Sequence, residues 1–423
     1  MVRQPALAGA LSDEARPTPR EGASLDPALL PRALALRDWL LATLAAEPGE
    51  ALAGLAARLD ELGVPVDRVA TAVEALHAEY KGMGRVWTRE AGASFRLFPH
   101  GPAAEQSYQE SPFAEAHRRH AWLSLDLAGP EADRFVIAAE LRAAGYRHYL
   151  CVPIVFSDGS ANGVAFATRR PEGFDERALA VLRFVLPTLA AVLETRVLTR
   201  RLEDVLRTYV GDGPHHAILA GGIRRGQVSR IRSAILFADM RDYTRLTVNL
   251  TPDEAVDLLN GYFDCLVPPI EARGGEVLKY LGDGLLAIFR SRGDDTGGEA
   301  EAALTAATAA LAALDAANRA GRFSRPVRAG IALHHGEAAY GNVGSGSRLD
   351  FTVIGRDVNL AGRMAELNRT LGEPLLLSRA FVDHLWGDPE PLGTHPLQGF
   401  PDAVAVYRPR RRTAPPDEGS AAR

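Results

Sequence analysis

Leu278-Lys279-Tyr280-Leu281-Gly282-Asp283-Gly284-Leu285-Leu286-Ala287-Ile288-Phe289 is the stretch that decides how the C-terminal half of this chain folds. Two apolar runs flank Gly282-Asp283-Gly284, and that pattern predicts a hairpin from Gly275 to Phe289 with a carboxylate at its tip. A second carboxylate, Asp239, ends the apolar run Ala234 to Ala238 in Phe237-Ala238-Asp239-Met240, so two strands each deliver an acid to their end. Leaving a carboxylate unpaired beside a core is expensive, so both call for a cationic partner. Taken alone, Gly282-Asp283-Gly284 is also a common turn, and that plainer reading stands beside the other.

Working outward, strands and helices alternate. Pro252 to Ala272 reads as a helix, and Gly298 to Arg319 as an Ala-rich one. Val327 to His334 and Glu337 to Gly341 read as two strands, followed by a helix from Asp357 to Leu371. Upstream, apolar residues recur at helical spacing between Pro31 and Leu62, broken at Pro48-Gly49. A strand pair follows around Arg89 to Ala93, and a second pairs Tyr149 to Phe156 with Gly163 to Thr168 around Ser157-Asp158-Gly159. Helices before a hairpin-rich sheet indicate an α+β domain. After Phe174 a helical stripe runs through Leu189 and Leu206 until Gly211-Asp212-Gly213-Pro214 stops it. It reads either as one helix packing on its own domain or as a parallel coiled coil between two copies.

A length of 423 residues suggests two or three domains. The net charge of -5 provides no electrostatic case for nucleic acid or an anionic membrane as a partner. Cys151 and Cys265 are the only cysteines, too few for a disulfide framework, and a reducing cytoplasm is the expected location. The first 25 residues lack the apolar run of a signal peptide and read as a disordered leader. Arg183, Pro187, Glu194 and Arg196 interrupt the most apolar long stretch, Ala178 to Leu198, so no transmembrane span is expected.

Hard oxygen donors such as Asp239 and Asp283 suit Mg²⁺ and phosphate chemistry rather than zinc. After Asp239 come Arg241, Asp242, Tyr243 and Thr244, where a strand gives way to a helix whose backbone N–H groups can hold phosphate oxygens. No P-loop, kinase or Rossmann signature is present. Asn359 and Arg363 lie four apart on a predicted helix and share a face, a pairing suited to a ribose and a polyphosphate. Of 48 cationic residues only Lys81 and Lys279 are lysine, so Lys279 marks a place where a compact ammonium is wanted. Adjacent His334 and His335 lack a metal-ligand pattern and predict a strand end with one buried and one exposed imidazole.

These motifs, with Tyr340-Gly341-Asn342-Val343-Gly344, Asp350-Phe351-Thr352-Val353-Ile354-Gly355 and Val358-Asn359-Leu360-Ala361-Gly362-Arg363-Met364, resemble the class III adenylate/guanylate cyclase catalytic domain from Ile235 to Tyr407. The resemblance implies a ferredoxin-like α/β domain that turns ATP into cyclic AMP with two Mg²⁺ or Mn²⁺ ions. It makes Asp239 and Asp283 the metal ligands, Lys279 and Thr352 the purine readers, and Thr244 a phosphate-loop hydroxyl. Asn359 would orient the ribose and Arg363 stabilise the pentavalent phosphate, the acids of one chain facing these groups of the other in a homodimer. Lysine with threonine points to ATP; guanylate cyclase, or a silent dimerising module, is the alternative. Three departures bear on phosphate affinity: Asp242 where Gly is frequent, Gly330 where many members have arginine, and no lysine near Leu397-Gln398-Gly399-Phe400-Pro401.

The region from about Leu30 to Arg200 resembles a GAF-type sensor, best at Gly145-Tyr146-Arg147-His148-Tyr149-Leu150-Cys151-Val152-Pro153-Ile154, and implies an unidentified small-molecule ligand or a dimerising role. The expected order is a leader over 1–27, the GAF-like domain over 28–200, a helical linker over 201–230, the cyclase domain over 231–408 and a disordered tail over 409–423.

Overall fold

The computed structural model of the chain describes residues 24–291, 298–346 and 348–410. Most of the expected leader and tail therefore lies outside the described residues. The chain divides into two compact units, with the boundary between Thr208 and Tyr209.

The first unit opens with α1 (Leu30–Ala42) and α2 (Pro48–Glu61), then β1 (Arg68–Glu74), β2 (Tyr80–Thr88) and β3 (Gly92–Pro99). Next come α3 (Pro102–Gln109), α4 (Pro112–Arg119), β4 (Leu123–Asp126), α5 (Val136–Ala143), β5 (His148–Val155), β6 (Ala161–Thr168) and α6 (Glu176–Val210). The six strands form one antiparallel sheet in the order β3-β2-β1-β6-β5-β4. Alternation along β1 sends Val69 into the core shared with α1, α2 and α6, and Ala70 into the opposite core with Tyr149 and Cys151. Both sheet faces are thus covered. α6 is a single helix through Pro187; its first half packs Val181, Val185 and Leu189 on the sheet, while Leu198 and Leu202 stay exposed.

The second unit contains α7 (Asp212–Leu219), β7 (Val228–Met240), α8 (Tyr243–Thr247), α9 (Pro252–Glu271), β8 (Glu276–Leu281) and β9 (Gly284–Arg290). It continues with α10 (Gly298–Arg319), β10 (Ala329–Ser345), β11 (Arg348–Ile354), α11 (Arg356–Leu371), β12 (Leu375–Ser378), α12 (Arg379–Val382), β13 (Glu390–His395) and β14 (Val404–Arg408). The sheet runs β13-β14-β12-β10-β7-β9-β8, with β11 laddered to the far half of β10. Thr251-Pro252-Asp253-Glu254 starts α9 with a capping box, Thr251 and Glu254 each holding the other's backbone N–H. α9 and α10 cover one sheet face, α10 through a seam of buried alanines, Ala300, Ala303, Ala306, Ala307 and Ala310, that lets the helices approach closely. α11 covers part of the other face.

Two expectations need correction. Residues 327–341 were expected as two strands but belong to one 17-residue strand, β10, because its ladder to β7 continues through His335, Gly336 and Glu337 without a break. His334 and His335 are both buried, at 5% and 8% exposure, because α12 and the residues after it close over the strand: His334 Nδ1 pairs with Ser378 Oγ at 2.8 Å, and the His335 ring stacks on His384. α6 and α10 are also long and apolar enough to cross a membrane by length and composition, although the sequence reading expected no span. Both bury an apolar face in this fold.

Candidate active site

The site begins at two strand ends. Leu281 pairs with Gly284, so Gly282 and Asp283 form a two-residue hairpin loop, and Gly282 supplies the positive φ of 69° that its first central position requires. Gly284 pairs with Asp239 across β7 and β9, where a Cβ would stand 2.8 Å from the Ala238 carbonyl oxygen and 3.3 Å from Asp239 Oδ1. Only glycine lets the hairpin tip come this close to Asp239. The Met240 N–H then donates to the Asp283 carbonyl at 3.1 Å, locking the two acid-bearing segments together.

Although Asp239 keeps an exposed edge, the surrounding protein withdraws water from its carboxyl; this, with the Asp283 charge, pushes its pKa up to about 6. Desolvation raises Asp283 too. Beneath them the Tyr262 hydroxyl is fully buried with no hydrogen-bond partner, and desolvation followed by the two carboxylate charges pushes its pKa upward. Carboxylates this uneasy, and without a salt bridge among the described residues, fit a hard divalent cation. Among those residues no group of three or more metal-binding side chains occurs, so a cation here must take further ligands from water or substrate, as Mg²⁺ does.

A separate feature lies between β8, β11 and α11, a cleft of about 1020 Å³. Phe237, Leu286, Val353 and Val358 give it an apolar lining, to which Lys279, Thr352, Asn359 and Arg363 add polar groups. A β-bulge between Val277 and Lys279 resets the register of β8, so that Lys279 and Leu281 both reach the cleft. α11 is pinned at its first turn by Asp357, whose carboxylate lies 3.7 Å from His334 Nε2 and accepts the Glu337 N–H at 2.8 Å. These neighbours hold its pKa below the usual carboxylate range. From that anchor Asn359 and Arg363, one turn apart, face the cleft together, and Arg363 Nη1 meets Glu366 Oε1 at 2.7 Å. Lys279, Thr352, Asn359 and Arg363 therefore share one cleft, whereas Asp239 and Asp283 are not among its lining residues.

Residues 228–371 match the family of the adenylate and guanylate cyclase catalytic domain. An adenylate cyclase of Anabaena cylindrica is 34% identical over 191 residues, covering 44% of this chain and 38% of that protein. This segment is a class III cyclase catalytic domain. Adenylate cyclase 1 of Rhizobium meliloti (strain 1021) is 32% identical over 175 residues, covering 41% of this chain and 26% of that protein. The chain thus spans well under half the length of either relative. Among solved structures, the adenylyl cyclase CyaB from P. aeruginosa is similar at 25% identity and a TM-score of 0.40, covering 44% of this chain and 100% of that one.

Within the cyclase domain, the loop after Asp239 explains two of the departures seen in the sequence. Asp242 takes the left-handed conformation, φ 60°, which favours glycine, and its carboxylate is held at 3.1 Å by Arg328 Nη2. Gly330 has no room for a side chain: a Cβ would stand 2.8 Å from Asn368 Cβ, and the Arg241 guanidinium already fills the adjoining space, donating to the Asn368 and Glu373 carbonyls. Thr244 is exposed on the short α8. Replacing Asp242→Gly is expected to stabilise the cyclase domain by about 1 kcal/mol through relief of backbone strain and to lower the KM for a nucleotide triphosphate by removing a nearby negative charge. Thermal melts and initial rates check this, and an unchanged KM would show that Arg328 already neutralises the loop.

Sequence reasoning missed Arg241 and Tyr262, since a buried arginine or tyrosine has no mark in a chain where both types are frequent. It also missed Asp350, whose carboxylate pairs with the Lys279 ammonium. The available signal was its position two residues before Thr352, on the same face of β11.

Proposed function

We propose that the chain is an adenylate cyclase, converting ATP to 3′,5′-cyclic AMP and pyrophosphate at sites shared between two copies. The observation that carries this reading is the separation of its polar groups: one cleft holds donors for a base, a ribose and a phosphate but lacks the paired acids, which end neighbouring strands elsewhere. A second copy would supply the acids to the first copy's cleft. The two relatives named as adenylate cyclases support the chemistry, and the exposed Leu198 and Leu202 of α6 support a parallel pairing of helices.

In this mechanism Lys279 donates to the purine N1 and Thr352 accepts from the exocyclic amine. Asn359 holds the ribose so that its 3′-oxygen lies in line with the α-phosphorus, and Arg363 carries the charge that develops on the phosphoryl oxygens. Leaving the Glu366 pair is a small demand on Arg363, because exposed ion pairs are weak. The 3′-oxygen bonds to the α-phosphorus as the bond to pyrophosphate breaks, and the 3′-hydroxyl loses its proton. Asp239 and Asp283 would hold two Mg²⁺ or Mn²⁺ ions, which when bound supply Lewis-acid charge to the hydroxyl and triphosphate. The Thr244 hydroxyl adds a phosphate contact.

The proposal extends to the rest of the chain. The first unit is read as a GAF-like sensor, supported by an antiparallel sheet covered on both faces. A reducing cytoplasm is supported by Cys151 and Cys265 being buried and unpaired, with burial pushing both thiol pKa values up.

Base polarity provides the test. A charged lysine only donates, which suits adenine N1 and opposes guanine N1–H; a misplaced polar group in a closed pocket costs about 1–3 kcal/mol, or roughly ten- to a hundredfold in preference. Purified protein with Mg²⁺ or Mn²⁺ is expected to cyclise ATP with a specificity constant higher by about that factor than for GTP, and Lys279→Glu to lower ATP turnover more than GTP turnover. Comparable constants for the two nucleotides would replace this reading with a guanylate or dual cyclase.

A further inference from the structure

Lys279 does not stand alone at the cleft. Its ammonium is ion-paired with the Asp350 carboxylate, a residue 71 positions away in sequence. β8, which carries Lys279, ladders to β9, and β11, which carries Asp350, ladders to β10. The ion pair thus spans two strands that share no backbone ladder. Thr352 and Asp350 occupy the same face of β11, but Thr352 lines the cleft and Asp350 does not.

We propose that Asp350 is a positioning residue for nucleobase selection: its carboxylate engages part of the Lys279 ammonium and directs a remaining N–H toward the base. An ammonium on a four-carbon stem carries three rotatable donors and no preferred direction of its own. A neutral threonine at the other base-reading position cannot anchor it by charge. The carboxylate two residues along the strand can do so without occupying the base's space, which keeps the cleft open for a purine. Both partners are well exposed, at 39% and 51% of their side-chain surface, so the pair adds little to fold stability. Its value lies in where it holds the lysine.

This inference deepens the adenylate cyclase reading and rests on it. The experiment uses the full-length protein and measures kcat and KM for ATP and GTP in the unmutated form, Asp350→Asn, Lys279→Ala and the double variant. Asp350→Asn is expected to lower kcat/KM for ATP about tenfold, mainly through KM, and to shrink the ATP-over-GTP ratio by a similar factor. Its melting temperature should not move. In the Lys279→Ala background the same change should have no further effect, because Asp350 acts through the lysine. An unaltered nucleotide ratio in Asp350→Asn, or an equal loss with and without Lys279, overturns the assignment while leaving the adenylate cyclase reading intact. If the unmutated protein neither binds nor cyclises either nucleotide, the reading of the cleft falls and this inference falls with it.

Discussion

Asp239→Asn or Asp283→Asn is expected to cut cyclase turnover by about a thousandfold or more while raising the melting temperature of the metal-free protein at neutral pH. The two effects share one cause. Asp239 takes up a proton near pH 6 in the folded protein, against 3.8 in an unperturbed side chain, because of desolvation and the facing Asp283. The folded state therefore binds that proton more tightly than the unfolded state, and stability falls as pH rises from 3.8 through 6. Above that range the charged pair is a standing penalty on the fold, which asparagine removes. Below pH 4 both carboxyls are protonated in either state, and variant and unmutated protein should melt alike. Added Mg²⁺ should reverse the order at neutral pH by stabilising the unmutated protein alone. Melting curves across pH with EDTA or Mg²⁺, read beside product formation, check all of this. A variant that keeps its turnover would end the assignment of these acids as the metal ligands.

A mixture of two dead enzymes should come back to life. Asp283→Ala loses an acid and keeps the cleft, and Arg363→Ala loses a cleft residue and keeps both acids. Each homodimer has two broken sites. In a heterodimer one site is broken twice, and the other combines intact acids from one chain with an intact cleft from its partner. Random reassortment of equal amounts makes about half the dimers mixed, each with one good site of two, so about a quarter of the unmutated activity should return. The same experiment with Asp239→Ala and Asp283→Ala, both changes on the acid side, should restore nothing. Failure of the first mixture, with subunit exchange confirmed by a tag on one partner, would place acids and cleft in a single chain's site and refute the shared arrangement.

Much of the site was legible in the sequence because its parts are local. A two-residue loop between apolar runs makes a hairpin whatever surrounds it, so Asp283 at the tip followed from Gly282-Asp283-Gly284. Helical period alone put Asn359 and Arg363 on one face, and the capping box starts α9 within four residues. Strand continuity was harder to read. Gly336 looked like a break in β10, yet that strand runs on because its partner β7 is long enough to ladder the whole length. His334 and His335 alternate across a strand, which predicted opposite exposures; α12 and His384, which arrive from 40 or more residues later, bury both.

The chain's own pattern determined the two carboxylate-bearing strand ends, the helix face carrying Asn359 and Arg363, and the single lysine of the catalytic segment, since each depends on residues within one or two turns or one hairpin. Only the tertiary structure decided that the base- and phosphate-facing groups share a cleft lacking the acids, that Lys279 answers to Asp350 across 71 residues, and that Asp239 holds its proton to about pH 6. Those outcomes depend on which strands lie side by side and how much water they exclude. Both are set by long-range packing of the sheet, which nearest-neighbour patterns along the chain do not encode.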